Sequence, residues 1–491
     1  MPTRLERITR QRLGKLEYIR GRGIEPYPHR YTPSHTNAQA AALLNQKRKS
    51  SKSLTAVTIT GRVKAQRRMG KIYFLDIYDA SGKLQLYIPR NQISADNLEL
   101  LHNLDIGDFI GASGRLFMTK TGEPTLEVET LTLLAKSLRP LPEKWHGLHD
   151  VDTRHRQRYL DLISNPEVKR AFTLRSQIIS SIRDFLNARD FLEVETPVLQ
   201  PSAGGALARP FITHHHALDH DFYLRIALEL YLKRLIIGGI DKVYELGRVF
   251  RNEGISTKHN PEFTMLELYQ AYADYNDIMN LLEEMTSSVV SKITGGYKIS
   301  FGRNTIDFKP PWPRLELRQA IADQSGIDFV QYPDANLLRM KMCEKGLEVD
   351  PGKDWPKLID ELISVYLEPE LIQPTFILDY PLSMSPLAKR KPDQERVVER
   401  FEAFAGGMEI ANAFTELNDP IEQRQRFVKQ QKGHGKNDEQ EVIDEEFLIA
   451  MEYGMPPTGG LGIGIDRIVM LLTDQQSIRE VILFPHHKEK V

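Results

Sequence analysis

The sequence of 491 residues has almost no cysteine, since Cys343 is the single one. One cysteine excludes an intramolecular disulfide framework and any zinc site built from several thiolates. It is typical of a reducing compartment, so we expect a cytoplasmic protein. The chain also lacks an apolar run of about 20 residues, which a membrane-spanning helix requires, and we expect no membrane partner. Its first segment, MPTRLERITRQRLGKLEYIR, lacks the apolar core of a secretory signal.

The sequence has little net charge: 65 Lys and Arg against 66 Asp and Glu leave a formal charge of −1. This total excludes a uniformly basic nucleic-acid binder. The charge is unevenly distributed, however. Residues 1–140 hold 23 basic and 12 acidic side chains, whereas the rest of the chain holds 42 and 54. The contrast predicts a basic module that contacts nucleic-acid phosphates, followed by an acidic module.

The basic part begins with two segments of helical spacing, residues 4–20 and 36–47. From Leu54 the pattern changes to five short strands, with a helical segment between the third and fourth: VTITGRV, KIYFLDIYD, KLQLYI, DFIGASGRLFMT and PTLEVETLTLLA. This order predicts a small barrel of the OB type, a fold that commonly binds single-stranded nucleic acid.

Three side chains of the predicted barrel could contact a base. Phe74 and Gln85 lie on its second and third strands, and Arg67 lies just before them. An aromatic ring can stack on a base, while Gln and Arg can hydrogen-bond to its edge. The alternative for Phe74 is a position in the barrel core.

The Pro-rich segment LRPLPEKWHG predicts a linker, and long helices alternate with strands after it. We therefore expect an α+β protein with four segments. They are a basic helical extension in 1–53, an OB-fold β-barrel in 54–140, a linker in 141–165 and a larger domain in 166–491.

In the larger domain, the segment VYELGRVFRNEGISTKHNPEFTMLELYQAYADY predicts two strands joined by a loop. Arg251 ends the first strand. Alternation places four residues of the second strand on one face: Phe263, Met265, Glu267 and Tyr269. This mixed face suits a ligand pocket, although a polar hairpin with paired surface charges fits about equally well. The loop carries Asn252, Glu253, Lys258, His259 and Asn260.

The segment RFEAFAGGMEIANAFTELND predicts a β-hairpin. With Ala405 and Gly406 at its tip, Glu402 lies directly opposite Glu409, and two facing carboxylates repel each other. A cation between them removes the repulsion. Mg²⁺ prefers one or two carboxylates together with substrate phosphates, so this hairpin predicts a magnesium site.

Further acidic side chains need an explanation. Asn412, Phe414 and Glu416 share a face of the second hairpin strand, and Glu409 is out of phase with them by one residue. A bulge or bend is needed to bring all four into one site. Glu229 lies in the otherwise apolar stretch LRIALELYLKRLI, where a carboxylate requires a partner.

The segment PPTGGLGIGIDRIVMLL is rich in glycine and leads into an apolar helix. Glycines let a ligand approach the backbone closely, and Arg467 could bind a phosphate through two of its N–H groups. A glycine run alone is a weak signal, and the fingerprint of dinucleotide-binding proteins requires a different context.

These motifs resemble a known family. FLNARDFLEVETPVLQ, FRNEGISTKHNPEFTMLE and GLGIGIDR are similar to the three motifs of class II aminoacyl-tRNA synthetases. The phrases RPLPEKWHGL, RIALELYLKRL and LIQPTFILDYPLSMSPLA resemble the bacterial and eukaryotic lysyl-tRNA synthetases, and the resemblance covers essentially the whole chain. It implies an OB-type anticodon-binding domain and a catalytic domain with an antiparallel sheet flanked by helices. It also implies a homodimer with the segment around Pro197 at the interface.

The resemblance implies that lysine reacts with ATP to give lysyl-adenylate and is then transferred to the 3′ end of tRNA(Lys). Arg251 and Arg467 are the implied catalytic residues, and Glu402 and Glu409 the implied Mg²⁺ ligands. The implied ATP-binding residues are Arg251, Glu253, His259, Asn260, Phe263, Glu402, Glu409 and Arg467. The implied lysine-binding residues are Gly205, Glu229, Arg251, Glu267, Tyr269, Asn412, Phe414 and Glu416. The implied anticodon-binding residues are Arg67, Phe74 and Gln85.

Two other functions fit parts of the sequence. A truncated paralogue that attaches a lysine analogue to a translation factor lacks the N-terminal barrel predicted for this chain. A non-catalytic, synthetase-like RNA-binding protein is expected to have lost motif arginines or metal carboxylates. All four of these are present, namely Arg251, Arg467, Glu402 and Glu409.

Overall fold

A computed structural model gives the structure of the chain and describes residues 3–47, 56–142, 148, 150–202, 204–206, 208–433 and 443–487. The chain forms two compact units, Met1–Gly147 and Leu148–Val491. The expected boundary between residues 53 and 54 lies outside the described residues, and so do positions 143–147 and 149 of the expected linker. The division into four segments therefore stays a prediction.

In its described residues, the first unit contains a closed barrel of five strands with three helices. The helices are α1 (Arg4–Gly21), α2 (Asn37–Lys47) and α3 (Ala95–Asn103). The strands are β1 (Ala56–Met69), β2 (Ile72–Tyr78), β3 (Lys83–Pro89), β4 (Phe109–Met118) and β5 (Pro124–Ala135). The order around the barrel is β1-β2-β3-β5-β4, and α3 lies between β3 and β4 in the chain. These elements confirm the predicted OB-type barrel.

Alternating side chains fill the barrel. Leu75 and Ile77 of β2 and Leu86 of β3 are fully buried, because every second residue of a strand points inward. Ile19 of α1 and Ala40 of α2 belong to the same apolar cluster. Apolar contacts therefore hold the two N-terminal helices against the barrel.

The strands described in the second unit are β6 (Leu192–Glu193), β7 (Leu199–Gln200), β8 (Ile212–His215), β9 (His220–Leu224), β10 (Lys242–Phe250), β11 (Glu262–Ala271), β12 (Lys298–Phe301), β13 (Asn304–Asp307), β14 (Arg314–Glu316), β15 (Thr375–Leu378), β16 (Arg390–Lys391), β17 (Gln394–Val398), β18 (Arg400–Ala405), β19 (Met408–Thr415) and β20 (Thr458–Gly464). The unit is built around an eight-stranded sheet of order β14-β15-β18-β19-β20-β11-β10-β6. The strands of this sheet are antiparallel except in the pairs β14–β15 and β10–β6. Small sheets of order β12-β13, β16-β17 and β7-β9-β8 accompany it.

Helices surround this sheet, and none of the helices in the described parts of the chain is long and apolar enough to cross a membrane. They are α4 (Val151–Arg156), α5 (Arg158–Ser164), α6 (Pro166–Asn187), α7 (Glu229–Ile237), α8 (Tyr275–Thr294), α9 (Leu317–Ser325), α10 (Ala335–Glu344), α11 (Trp355–Leu362), α12 (Pro420–Gly433), α13 (Glu445–Glu452), α14 (Ile465–Thr473) and α15 (Ile478–Val481). Sheets and helices together confirm the predicted α+β class.

The two faces of the large sheet differ in chemistry. Leu266 and Leu268 of β11 and Leu461 and Ile463 of β20 join one buried apolar cluster with residues of α6, α8 and α14. Because side chains alternate along a strand, the residues between them point to the opposite face. That opposite face carries polar residues and glycines, and it forms the floor of the site described next.

Candidate active site

A cleft of about 2590 Å³ lies on the polar face of the large sheet in the second unit. Its volume exceeds the about 300–1,000 Å³ of an ordinary small-molecule pocket, so it has room for more than one substrate. Of the residues expected in a substrate site, Glu402 does not line the cleft. Those that do are Gly205, Glu229, Arg251, Glu253, His259, Asn260, Phe263, Glu267, Tyr269, Glu409, Asn412, Phe414, Glu416 and Arg467.

Strand pairing brings the expected lysine-binding residues together. The predicted strand–loop–strand is confirmed, because β10 and β11 pair antiparallel. Glu267 of β11 pairs with Gly462 of β20, which pairs in turn with Asn412 of β19. In the adjacent row, Tyr269 and Phe414 flank Gly460 in the same way, as the same two pairings show. Residues facing each other across paired strands point to the same face, so both rows line the cleft.

Gly460, which lies between Tyr269 and Phe414, has no side chain and so leaves space for its neighbours. A Cβ at this position would lie 2.6 Å from Tyr269 Cε1 and would collide with Glu416 Oε1. Any other residue would therefore displace a ring or a carboxylate in this row. The glycines of the third motif thus make room on the floor of the cleft, and they lie on strand β20 rather than in a phosphate loop.

The predicted register of the β18–β19 hairpin is wrong. Glu402 pairs with Asn412, and Glu409 pairs with Phe404, so the two glutamates do not face each other directly. The tip consists of Gly406 and Gly407, whose φ angles are 62° and 73°. Two consecutive residues with positive φ are typical of a tight hairpin turn that glycine favours, and this turn moves the tip by one residue.

The same hairpin contains the irregularity that the site requires. Between the pairs Ala403–Ala411 and Phe404–Glu409 the register shifts, leaving Ile410 as an extra residue. This is a β-bulge, which changes the phase of the strand. As a result, Glu409 points to the cleft together with Asn412.

One end of the cleft holds a buried acidic cluster. Lys233 Nζ lies 2.5 Å from Glu229 Oε1 and also forms an ion pair with Glu416. The side chain of Lys233 is fully buried, and those of Glu229 and Glu416 are 9% and 1% exposed. Burial opposes the positive charge of Lys233, but the two carboxylates outweigh this effect and raise its pKa. Sequence reasoning missed Lys233, although its spacing of four residues from Glu229 on one helix is a usable signal.

Glu267 is the third carboxylate of this region. The backbone N–H of Leu228 donates to its Oε1 at 2.9 Å, and the Tyr269 hydroxyl donates to its Oε2 at 3.1 Å. Burial, followed by the negative charge of Glu229, raises the pKa of Glu267 to about 7. Both neighbours that donate hydrogen bonds stabilise its charged form, as does Arg251.

Arginines dominate the other end of the cleft. Arg467 donates through Nη1 to the backbone oxygen of Glu409 at 2.6 Å and to its Oε2 at 3.1 Å. The guanidinium carbon of Arg251 lies 5.2 Å from the centre of the Phe263 ring. Burial and the charge of Arg467 lower the pKa of His259, so its imidazole is neutral at pH 7. This combination of two guanidinium groups and a ring suits a nucleotide.

Glu402 lies beside the cleft and is held by two side chains that sequence reasoning missed. Arg400 Nη2 is 2.6 Å from Glu402 Oε1, and the Tyr380 hydroxyl donates to Oε2 at 2.8 Å. Burial raises the pKa of Glu402 to about 7; Arg400 opposes this effect and Glu409 adds to it. Arg400 lines the cleft and also donates to Asn412 Oδ1 at 3.1 Å.

Glu402 and Glu409 could hold a cation. Their charges interact, so a cation near both would relieve the repulsion. The donors are carboxylate oxygens, which hard cations prefer. Among the residues described, no group of three or more His, Cys, Asp or Glu side chains is arranged to hold a metal ion. The donor set therefore fits an ion that takes only one or two protein ligands.

The remaining expected residues lie on loops. Asn260 is buried, donates to the backbone oxygen of Glu262 at 2.5 Å and accepts from the backbone N–H of His486 at 3.2 Å. It thereby fixes the loop that carries His259. Glu253 lines the cleft with an exposed side chain. Gly205 has a φ of 88°, a conformation that favours glycine.

In the first unit, two of the expected anticodon-binding residues, Arg67 and Phe74, lie side by side on the outer face of the barrel. Arg67 of β1 pairs with Phe74 of β2, which pairs with Tyr87 of β3. The rings of Phe74 and Tyr87 lie 5.6 Å apart. The alternative position of Phe74 in the barrel core is wrong, because it is partly exposed and Leu75 points inward instead. Gln85 is buried, with its side-chain oxygen 3.1 Å from the Thr125 hydroxyl.

Comparisons with known proteins agree with this arrangement. The family model "tRNA synthetases class II (D, K and N)" matches residues 150–488, and "OB-fold nucleic acid binding domain" matches residues 57–134. A lysine–tRNA ligase of Dehalococcoides mccartyi is 59% identical over 488 residues, covering 99% of this chain and 98% of the relative. Those of Moorella thermoacetica and Roseiflexus sp. (strain RS-1) are 55% and 52% identical; they cover 98% and 99% of this chain, and 97% and 99% of their own lengths.

Proposed function

The chain belongs to the class II tRNA synthetases of the D, K and N group, within them to the lysine–tRNA ligases, and from this premise we propose the roles of its residues. It is an ATP-dependent ligase that joins lysine to tRNA(Lys). The observation that carries our assignment of the amino-acid site is the buried acidic cluster of Glu229, Glu267 and Glu416 at one end of the cleft.

Lysine binds with its two ammonium groups at this acidic end. Glu229 and Glu416 face the ε-ammonium, because a buried cation requires negative partners. Glu416 Oε1 has no hydrogen-bond partner among the residues that the structure describes, and it lies against the floor glycine Gly460. Glu267 binds the α-ammonium, with Tyr269 orienting that carboxylate. Gly205, Asn412 and Phe414 complete the walls.

ATP binds at the arginine end. Phe263 stacks on the adenine, and Arg251 contacts both the α-phosphate and the substrate carboxylate. Arg467 contacts the γ-phosphate, while Glu253, His259 and Asn260 line the site. A lysine carboxylate oxygen attacks the α-phosphorus, and pyrophosphate leaves as the P–O bond breaks. The reaction needs no side-chain nucleophile, so catalysis consists of positioning and charge stabilisation.

Magnesium is the proposed cofactor, with Glu402 and Glu409 as its protein ligands. The donor set of carboxylate oxygens and the interaction between the two charges support this choice. When bound, Mg²⁺ neutralises phosphate charge. Independently of the ion, Arg400 and Tyr380 hold the Glu402 carboxylate in place, and Arg467 fixes Glu409.

In the second reaction, the terminal ribose hydroxyl of the tRNA attacks the carbonyl carbon of lysyl-adenylate, and AMP leaves. We propose that the barrel holds the anticodon, with Phe74 stacking on a base and Arg67 and Gln85 contacting base edges. The arrangement of Arg67, Phe74 and Tyr87 on one outer face supports this role. The buried position of Gln85 limits it to an edge contact.

We also propose a homodimer formed around Pro197, in the cytoplasm. Leu192, Val198 and Leu199 are 51%, 41% and 46% exposed, and neighbouring exposed apolar residues are typical of an interface. The single free cysteine, Cys343, supports a reducing compartment. Light scattering of the full chain measures the dimer directly, and a monomeric mass at micromolar concentration would contradict it.

ATP–pyrophosphate exchange with each of the amino acids tests the proposed function. We expect exchange that depends on lysine, and none of similar size with aspartate or asparagine, because an acidic cluster repels the aspartate side chain and offers asparagine no matching charge. Circular dichroism of the same sample confirms that the protein is folded. Folded, dimeric protein without lysine-dependent exchange would support a non-catalytic RNA-binding role instead.

A further inference from the structure

Lys233 lies inside the acidic cluster, and the binding of substrate lysine does not by itself explain why a second cation is buried there. Its ammonium group contacts both carboxylates that are proposed to bind the substrate's ε-ammonium, and its side chain is completely buried. The rings of Phe414, Tyr269 and Phe447 surround it, with their centres 5.6, 5.9 and 6.0 Å from Nζ. A lysine of the protein therefore lies beside the site proposed for the substrate lysine.

The charges around the position proposed for the ε-ammonium can be counted, with Glu267 left to the α-ammonium. Glu229 and Glu416 contribute two negative charges, and Lys233 contributes one positive charge. The remaining single negative charge matches one substrate ammonium group. We propose that Lys233 is a positioning residue that sets this balance: it keeps both carboxylates ionised and oriented, so that this end of the cleft accepts one ε-ammonium group. The proposal rests on the proposed lysine site.

Among the residues that the structure describes, the surroundings offer no other group that could take over this role. The charged and titratable groups around Lys233 are Glu229 on its own helix, Glu416 after β19, and Glu267 and Tyr269 on β11, while α13 contributes the Phe447 ring. Burial, together with Glu229 and Glu267, raises the pKa of Glu416, and Lys233 is the group that opposes it. Without Lys233, two buried carboxylates would share a proton near neutral pH.

The test compares Lys233→Met with the wild-type full chain in lysine-dependent exchange between pH 7.5 and 9.5. At pH 7.5 we expect the KM for lysine to rise by about 30-fold or more in the variant, and the KM for ATP to change less than about twofold. The ratio of the variant's KM for lysine to that of the wild type then falls about tenfold with rising pH, because the shared proton leaves. Taking the ratio removes the titration of free lysine itself.

Two further variants separate charge balance from folding. Lys233→Met combined with Glu229→Gln removes one charge of each sign, and we expect its KM for lysine to lose the pH dependence and fall below that of Lys233→Met. Lys233→Arg retains the charge, and the ratio of its KM for lysine to that of the wild type should not change with pH. Arg234→Met is the matched control: it removes a neighbouring cation of α7, paired with Asp444 at 2.7 Å, outside the cluster.

Three results would each overturn the proposal. They are a ratio for Lys233→Met that does not change with pH, a KM for lysine that is higher in the double variant than in Lys233→Met, and equal increases in the KM for lysine and the KM for ATP. If Lys233→Met does not fold, the comparison of the double variant with Lys233→Arg still decides, because the double variant keeps the net charge without the ammonium group. Wild-type protein without lysine-dependent exchange would instead contradict the proposed function, so the two failures are distinguishable.

Discussion

The two proposed recognition sites differ in how the protein supports their side chains. On the outer face of the barrel, Arg67 is 57% exposed and lies 3.3 Å from Asp76, an ion pair that contributes little at a surface. In the cleft, Glu416 is 1% exposed and paired with the fully buried Lys233. The barrel face can therefore gain most of its interaction energy from the RNA, whereas the cleft is already organised before lysine binds.

The difference also explains the charge distribution of the chain. A basic surface attracts phosphates over several ångströms, and salt screens that attraction. A buried carboxylate acts only on what enters the cleft and is screened much less. Changes in the cleft should consequently have large effects that are specific to one substrate, and changes on the barrel should have smaller effects that depend on salt.

The largest expected effect follows from Glu416→Gln, which removes a buried charge without changing the side chain's shape. We expect kcat/KM for lysine to fall about 100-fold or more, because a buried ammonium loses a charged partner, and the KM for ATP to stay nearly constant. Exchange kinetics with each substrate varied in turn measure both. Equal changes in the two KM values would count against a role in binding the ammonium group.

A smaller effect is expected from Phe74→Ala on the barrel face. Loss of base stacking should reduce kcat/KM for tRNA about 5- to 100-fold, with lysyl-adenylate formation unchanged. Aminoacylation and exchange assays on the same preparation separate these two steps. Tyr73→Phe on the inward side of the same strand keeps the ring and serves as the control. Reduced adenylate formation in Phe74→Ala would indicate a structural role and would erase the contrast between the two sites.

The smallest effect concerns pH. The pKa of Glu267 is raised to about 7, so this carboxylate gains a proton as the pH falls through that value. An uncharged Glu267 binds the α-ammonium less well, and the KM for lysine should rise up to about tenfold between pH 8 and pH 6. Glu267→Gln should have a higher KM for lysine throughout, without this dependence on pH. If the KM for lysine of Glu267→Gln still depended on pH, the titrating group would be another residue.

The sequence predicted the strands of the barrel and, in the second unit, the β10–β11 pair and the β18–β19 hairpin, because alternation and turn residues are local signals. It placed Phe263, Glu267 and Tyr269 on one face correctly. It did not predict the register of the β18–β19 hairpin, since either pair of adjacent small residues could form the tip. That choice depends on long-range pairing with β15 and β20, which no local pattern reports.

Among the side chains that were missed, the two cations were missed for a different reason. Lys233 and Arg400 look like ordinary surface cations in the sequence, since each lies near other charged residues. Their burial results from partners that are distant in the chain, Glu416 for Lys233 and Ser385 for Arg400. The spacing of Lys233 from Glu229 is a local signal, but the pairing of Lys233 with Glu416 and the contact of Arg400 with Ser385 form only once distant segments have come together.

The bulge at Ile410 makes the hairpin sensitive to length as well as to composition. Because Ile410 is the extra residue, deleting it would leave Glu409 and Asn412 two positions apart on a regular strand, with the pairs Ala403–Ala411 and Phe404–Glu409 retained. Inserting one more residue beside it would instead reverse the alternation between Glu409 and Asn412 and turn Glu409 away from Asn412. Near this position, functional descendants should therefore tolerate the loss of one residue better than the gain of one.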